Sequence, residues 1–358
     1  MILNIVIIFG GKSNEHEISL QSASNIFNAI DRSLFNPILL GIDKEGYWHY
    51  NPNYINVNIN LSKADYFVGS KQIFISKQAE IIDIETNNVL ATFNVAFPIV
   101  HGTYGEDGTL QGLLKMLDIP FVGPDTLGSA IAMDKDVTKR ILRDSGIPIA
   151  DFYTLYNHSP HQYSFDEIVS NLHLPLFVKP ANAGSSVGVS KVENENDFNK
   201  AIVEAFKYDK KILIEEAVIG KEIECAVLGN DDNIQTSVVG EIVPTLNFYS
   251  YEAKYINPKG ANFKIPADIY EDVSNQIKTI SIKAFRAICC EGMARIDFLL
   301  RKDNSFVLNE INTLPGFTQI SMYPKLWEHM NMSCKDLITN LINLAIQKSQ
   351  RESNKLWK

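Results

Sequence analysis

Apolar and polar positions along this chain recur with two different periods. The runs NIVIIFG (4–10), PILLGID (37–43) and FNVAFPIV (93–100) are almost continuously apolar and predict strands buried on both faces. Helical spacing separates them, from about Ile18 to Ile30 and again from Thr109 to Leu117. This alternation predicts an open, largely parallel α/β sheet in the first third of the chain. A further helix over 134–145 begins on Asp134 as N-cap, shows Val137, Ile141 and Leu142 on one face, and stops at Gly146 just before Pro148.

Residues 150–209 read as strand, helix, strand (LPLFVKP), a small-residue turn ANAGSSVGVS (181–190) and a helix over 195–208, which suits a small α+β unit. From 211 onward the pattern gives the strands KILIEE, KEIECAVLG and SVVGEIV, then a polar aromatic loop at 245–264. A long helix over 267–290, two strands over 292–300 and 305–311, and closing helices complete it. The chain therefore divides into three units, 1–125, 126–210 and 211–358.

Composition narrows the class. A length of 358 residues with 45% hydrophobic content supports two to three globular domains. The formal net charge of −9 argues against a nucleic acid or an anionic membrane as partner, so any polyanion needs a locally basic pocket. Cys225, Cys289, Cys290 and Cys334 form no CxxC pair and no zinc spacing, and read as reduced, buried thiols of a cytoplasmic protein. The first nine residues lack a basic leader and meet a glycine turn, and no apolar run approaches membrane-spanning length.

The segment FGGKSNEHEIS (9–19) has a Gly-Lys-Ser triplet but no glycine five positions earlier, and Gly10 and Gly11 are adjacent, so it matches neither a phosphate loop nor a dinucleotide fingerprint. In GMARIDFLL, Arg295 and Asp297 are two apart and face one side of an apolar strand. Glu310 and Asn312 share a face of the next strand. Asp297, Glu310 and Asn312 together offer three hard oxygen ligands, which suits magnesium bridged to nucleotide phosphates; an Arg295–Asp297–Glu310 ion network is the other reading of the same spacing. Lys135 at a helix start and Lys179 before the turn holding Gly184, Ser185, Ser186 and Gly188 supply the positive charge and backbone N–H groups that a phosphate site needs.

The pieces GGKSNEHEISL, HGTYGEDGTLQG, MDKDVTK, VKPANAGSSVGVSKV, YEAKY, ARIDFLL and NEINTLPGFT, in this order and spacing, resemble the ATP-grasp ligases and within them the D-alanine:D-alanine ligase family. The resemblance covers nearly the whole chain and implies a three-domain ATP-grasp architecture: an N-terminal substrate-binding domain (1–125), a central domain (126–210) and a C-terminal domain with the catalytic and magnesium residues (211–358). It further implies ATP-dependent ligation of two D-alanine molecules through a D-alanyl phosphate, for peptidoglycan precursors, in a cytoplasmic homodimer. ATP would be held by Lys135, Lys179, Ser185, Ser186, Glu215, Glu216, Val218, Glu222 and Lys254, with Glu215 and Glu222 at the adenine edge and ribose. Two magnesium ions, or manganese, would sit on Asp297, Glu310 and Asn312.

By the same resemblance Glu15 anchors the first substrate's ammonium, and Glu15, Ser185 and Tyr255 meet when a lid at 245–264 closes. His101 is a substrate neighbour, Arg295 and the Gly316 N–H serve the reacting carboxyl group, and Ser321 and Met322 hold the second carboxylate. His16 receives no role. Ala183 departs from the acidic residue that many members carry before the Gly-Ser-Ser turn. A ligase of the D-alanyl-D-lactate type is the nearest alternative, against which Tyr255 in YEAKY speaks, and a nucleotide-binding regulator is a more distant one.

Overall fold

The computed structural model describes residues 2–54, 59–62, 65–160, 162–184, 187–244 and 261–354. Three sheets organise them. The first comprises β1 (Leu3–Gly10), β2 (Phe35–Ile42), β3 (Trp48–Tyr50), β4 (Lys71–Ile75), β5 (Glu80–Asp83), β6 (Val89–Thr92) and β7 (Val95–Pro98), in the order β6-β5-β4-β3-β2-β1-β7. β1 runs parallel to β2 and β7, the three runs whose continuous apolarity predicts it. From β2 to β6 the sheet continues as an antiparallel meander, so the whole is mixed. Those added strands are short and partly exposed, which leaves no strong period to read.

The helix α1 (His16–Ala29) covers one face of this sheet and α2 (Thr109–Met116) the other. Ile5, Ile7 and Phe9 of β1 pack with Leu20, Ala23 and Phe27 of α1, while Val6 and Ile8 pack with Leu110 and Leu114 of α2. Successive side chains of a strand point to opposite faces, which explains why β1 is apolar at every position.

The second sheet is antiparallel, with β8 (Phe152–Tyr156), β9 (Leu176–Pro180), β10 (Ser190–Val192) and β11 (Lys211–Glu216) in the order β10-β9-β11-β8. Its own core joins Val178, Ile212 and Ile214 to Ile168 of α5 (Phe165–Leu172) and to Phe198 and Ala201 of α6 (Glu195–Ala205). The strand Lys211–Glu216, which opens the third unit in the sequence reading, thus pairs in the second sheet.

The third sheet is antiparallel too: β12 (Lys221–Gly229), β13 (Gln235–Pro244), β14 (Ala261–Lys264), β15 (Gly292–Leu300) and β16 (Phe306–Asn312), in the order β14-β13-β12-β15-β16. Residues 261–264, expected at the end of a loop, form its edge strand. The helix α7 (Glu271–Ala287) packs on one face; it is shorter than the 267–290 expected and is followed by Cys289 at a left-handed φ of 57°. α8 (Met322–His329) and α9 (Cys334–Ser353) pack on the other.

Two further helices, α3 (Thr126–Met133) and α4 (Lys135–Asp144), precede the second sheet, and Leu142 of α4 is buried in the core of the third. Asp134 caps α4 by accepting from the N–H groups of Asp136 and Val137, as its sequence position predicts. Of the four free thiols, Cys225 and Cys290 are buried and Cys334 is half-buried, whereas Cys289, expected to be buried, is exposed. Among the described residues no helix is long and apolar enough to cross a membrane.

Candidate active site

The C-terminal ends of β1 and β7 are tied together by Ser19, whose hydroxyl accepts from the Gly10 N–H at 2.8 Å and donates to the Ile99 carbonyl at 2.6 Å. Gly10 and Gly11 lie at φ 88° and 98°, and a Cβ on them would stand 2.2 Å from the Ile42 oxygen and 2.6 Å from Val100 Cγ1. The glycine pair is therefore a close-packed turn into α1. His16 is buried there with Nδ1 2.9 Å from the Gly11 carbonyl oxygen.

The turn delivers Glu15. Its carboxylate is buried, and a Cβ added at Gly102 or Gly184 would lie 2.7 or 3.0 Å from Oε2. Glu15 is thus wedged between the glycine-rich loop after β7 and the turn after β9. The same loop holds Glu106, a residue the motif reading passed over, whose Oε2 accepts from the Gly102 N–H at 2.7 Å. Burial and then repulsion from Glu15 push the Glu106 carboxyl up to about 8, with Glu310 adding to the rise and Arg295 opposing it. One electrostatic field therefore links two loops of the first unit to two strands of the third.

His101 is also buried, and burial drives its imidazole down to about 4, against a hydrogen bond involving the Leu314 backbone. Its Nε2 is 3.1 Å from Ser22 Oγ, and Ser22 accepts from the Phe317 N–H at 3.2 Å. Asn25 donates to the Phe317 carbonyl at 2.8 Å. α1 in this way clasps the segment that follows β16. Within that segment a Cβ on Gly316 would stand 2.8 Å from Ser321 Oγ, which accepts from the Thr318 N–H at 2.9 Å. Ser321 precedes α8, where backbone N–H groups favour an anion. The Met322 side chain is buried among apolar residues, so what it offers a ligand is its backbone.

The hairpin β15–β16 carries the polar centre. Arg295 lies opposite Asn312 and Asp297 opposite Glu310, so all four occupy one sheet face. Arg295 donates to Asp297 through Nε and Nη2 at 2.8 and 2.7 Å, Asn312 donates to Asp297 at 3.0 Å, and Arg295 Nε is 3.0 Å from Glu224 Oε2 on β12. Glu224, opposite Asp297, is a second participant that the motif reading missed. Among the described residues no set of three or more His, Cys, Asp or Glu is arranged as a metal site. Two cross-strand carboxylates and one amide fit a hard divalent cation that takes its remaining ligands from phosphate and water. These contacts form an ion network, and the same donor set is the one a cation would use.

The lysines come from α4 and β9. Lys135 Nζ donates to the Ala183 carbonyl at 2.6 Å, and Lys179 Nζ lies 2.7 Å from Glu215 Oε2. Lys139, one turn after Lys135, is 3.4 Å from Glu215 Oε1; the spacing of four within MDKDVTK was the signal available for it. Burial pushes the Glu215 carboxyl up, and Lys139 and Lys179 together outweigh it and hold it below its ordinary value. Glu216 Oε1 is 3.1 Å from Arg301 Nη2, and Val218 and Glu222 are half-buried nearby in the chain. Ser185, Ser186, Lys254 and Tyr255, with Tyr251, lie outside the described residues.

A family model described as D-ala D-ala ligase N-terminus matches residues 4–124, and one described as D-ala D-ala ligase C-terminus matches residues 141–343. The chain is 52% identical over 353 residues to the D-alanine--D-alanine ligase of Oceanobacillus iheyensis, covering 97% of this chain and 96% of that one. Among solved structures, that of the D-alanine-D-alanine ligase from Coxiella burnetii superposes with a TM-score of 0.85 at 37% identity, covering 98% and 97% of the two chains. The VanG D-Ala:D-Ser ligase from Enterococcus faecalis has a TM-score of 0.85 at 33% identity, covering 96% of this chain and 100% of that one.

Proposed function

The chain belongs to the D-alanine:D-alanine ligase family, and from that premise we propose how its own residues perform the ligation. The protein is an ATP-dependent ligase that joins two D-alanine molecules into D-alanyl-D-alanine for peptidoglycan synthesis. ATP and a divalent metal serve the reaction. The residue assignment rests on one observation above all: the register that sets Arg295, Asp297, Glu310 and Asn312 on one sheet face, in the field shared with Glu15 and Glu106.

A free carboxylate is a poor electrophile, so the first D-alanine is phosphorylated, a transfer that needs charge neutralisation more than covalent help. Asp297, Glu310 and Asn312 would hold two magnesium ions, or manganese, which neutralise phosphate charge when bound. Lys135 and Lys179 add positive charge from the second unit. Glu215 Oε1, buried with the Lys139 ammonium 3.4 Å away but in no close hydrogen bond among the described residues, suits an adenine amino group, with Glu216 and Val218 beside it and Glu222 at the ribose. Lys254, Ser185 and Ser186 complete this set by family resemblance.

Glu15 pairs with the ammonium of the first D-alanine, with His101 as its neutral neighbour. Arg295 and the Gly316 N–H face the oxyanion that forms when the second amine attacks. Ser321 and the Met322 backbone bind the second carboxylate. Closure of the segment before β14, with Tyr255 against Ser185 and Glu15, would keep water from the acyl phosphate. Three domains, divided near 125 and, since Lys211–Glu216 pairs in the second sheet, just after Glu216, a homodimer and a cytoplasmic location complete the reading.

The test is phosphate release from ATP with D-alanine, L-alanine, or D-alanine plus D-lactate, the products identified by mass. D-alanyl-D-alanine as the product, with no release in the absence of amino acid, is expected. Asp297→Asn and Glu310→Gln should each lower the rate on the order of a hundredfold, with partial recovery at high magnesium. Wild-type rates in both at limiting magnesium would leave the donor set as an ion network only.

A further inference from the structure

Lys139 has no part in the ligation described above, yet it is 1% exposed and buried against the second sheet. We infer that Lys139 is a positioning residue for nucleotide binding: it holds the counter-charge of Glu215 so that Lys179 can leave that carboxylate for a phosphate. The inference rests on the assignment of Lys179 to a nucleotide phosphate.

The geometry is a carboxylate between two cations. Glu215, 4% exposed, has Lys179 Nζ 2.7 Å from Oε2 and Lys139 Nζ 3.4 Å from Oε1. The two lysines arrive from different elements, Lys179 from β9 and Lys139 from α4. Lys139 and Lys135 are four apart and share one side of α4, with Lys135 reaching the Ala183 carbonyl of the phosphate turn. The Lys139 ammonium is enclosed: it is 3.5 Å from the Ala150 carbonyl oxygen and 5.6 Å from the centre of the Phe152 ring. It is placed to stay while Lys179 moves.

A buried carboxylate that loses its cation is strongly destabilised. When a nucleotide phosphate draws Lys179 away, Glu215 keeps its second cation, and the exchange leaves no uncompensated charge. Without Lys139, the same exchange strands Glu215, and Lys179 remains on it in preference to phosphate. Both lysines hold the Glu215 carboxyl below its ordinary value against its burial, so Lys139 is a counter-charge in its own right and not only a neighbour of Lys179.

The experiment titrates the full-length enzyme calorimetrically with ADP and with adenosine, in magnesium. Lys139→Met keeps most of the stem and removes the charge; its ADP affinity should fall on the order of tenfold to a hundredfold, while adenosine stays within about threefold. Lys139→Arg should keep ADP affinity. Equal losses for ADP and adenosine, or no loss, would overturn the inference, because a packing role does not distinguish phosphates. Lys179→Met separates the premise from the inference. An ADP-selective loss there with none in Lys139→Met sinks the inference alone, and no ADP-selective loss in Lys179→Met removes the premise and the inference with it. If Lys139→Met does not fold, Glu215→Gln and Glu215→Gln/Lys139→Met carry the test: equal ADP affinity is expected, since no carboxylate then needs a cation, and a further fall in the double variant overturns it.

Discussion

The second sheet and the other two are held in the molecule by different physics. The first and third sheets share one apolar core, in which Ile5, Ile7 and Phe9 of β1 lie in the same cluster as Ala226 of β12 and Tyr323 and Trp327 of α8. A row of rings crosses the seam, Phe97, Phe317, Tyr323 and Trp327, with successive centroids 6.0, 5.9 and 6.5 Å apart. The second sheet has a separate core of its own. Around it the ties are polar: Lys211 with Asp134 and Asp136, Lys135 with the Ala183 carbonyl, Lys139 with Glu215, and Arg301 with Glu216. A shared core must break as a whole, whereas polar ties can exchange one partner for another at little net cost so long as no buried charge is left unpaired. The residues proposed for substrate and metal thus sit mainly on the fused pair, and those proposed for the nucleotide phosphates are carried largely by the unit with polar ties.

The largest test of this contrast compares two buried rings. Phe317→Ala at the seam and Phe198→Ala in the second core should each cost about 3–5 kcal/mol. Their native-state hydrogen exchange should differ: Phe317→Ala speeds exchange in β1 and β15 together, while Phe198→Ala speeds it in β9 and β11 and spares β1. Faster exchange of β1 in Phe198→Ala would make the three sheets one cooperative block and break the comparison.

A smaller effect probes the point where the fused pair meets the second unit. Glu15 touches both Gly102 and Gly184. Glu15→Gln removes the charge proposed to pair with the substrate ammonium, so the KM for the first D-alanine should rise roughly 10- to 150-fold, as for loss of a charged hydrogen bond. The KM for ATP should hold. A defect confined to ATP would instead assign the opening glycine turn to the nucleotide.

The smallest effects are expected in the pH dependence of stability. His101 titrates near 4 when folded and 6.5 when unfolded, so the unfolded chain binds the extra proton between those values and stability is lost as pH falls through them. Glu106 runs the other way. Its folded carboxyl stays protonated up to about 8, against 4.5 unfolded, so its contribution is present below 4.5 and lost as pH rises toward 8. Thermal unfolding across pH 4 to 9 should show Glu106→Gln flattening the alkaline loss, by at most about 1.4 kcal/mol per pH unit. An unchanged slope would mean that Glu106 is ionised in the folded protein and that the seam is less dry than its packing indicates.

Much of this was readable before folding was considered. The continuous apolarity of NIVIIFG announced a strand covered on both faces, and α1 and α2 do cover it. Asp134 announced the cap of α4. The strands 71–75, 80–83 and 89–92 were not readable, because each is short and half exposed. Nor was the pairing of Lys211–Glu216 with β8 and β9, since an apolar strand can enter either neighbouring sheet. Glu106 carried only a faint signal, one of two adjacent acids within a glycine loop, and Glu224 none.

Local sequence specifies the content of each element and the side to which it points. Arg295 with Asp297, and Glu310 with Asn312, share faces because the period of a strand is two, a property of local backbone geometry alone. Tertiary structure decided which faces meet. The register of β15 on β16 set Asp297 against Glu310, the turn after β1 brought Glu15 beside Gly184, and α4 carried Lys139 to Glu215. Those neighbours are 13, 169 and 76 positions apart in the chain. No local period spans such distances; they are joined only when apolar faces are buried against one another, and the charges that follow are left to pair, repel or wait for a ligand in the space that remains.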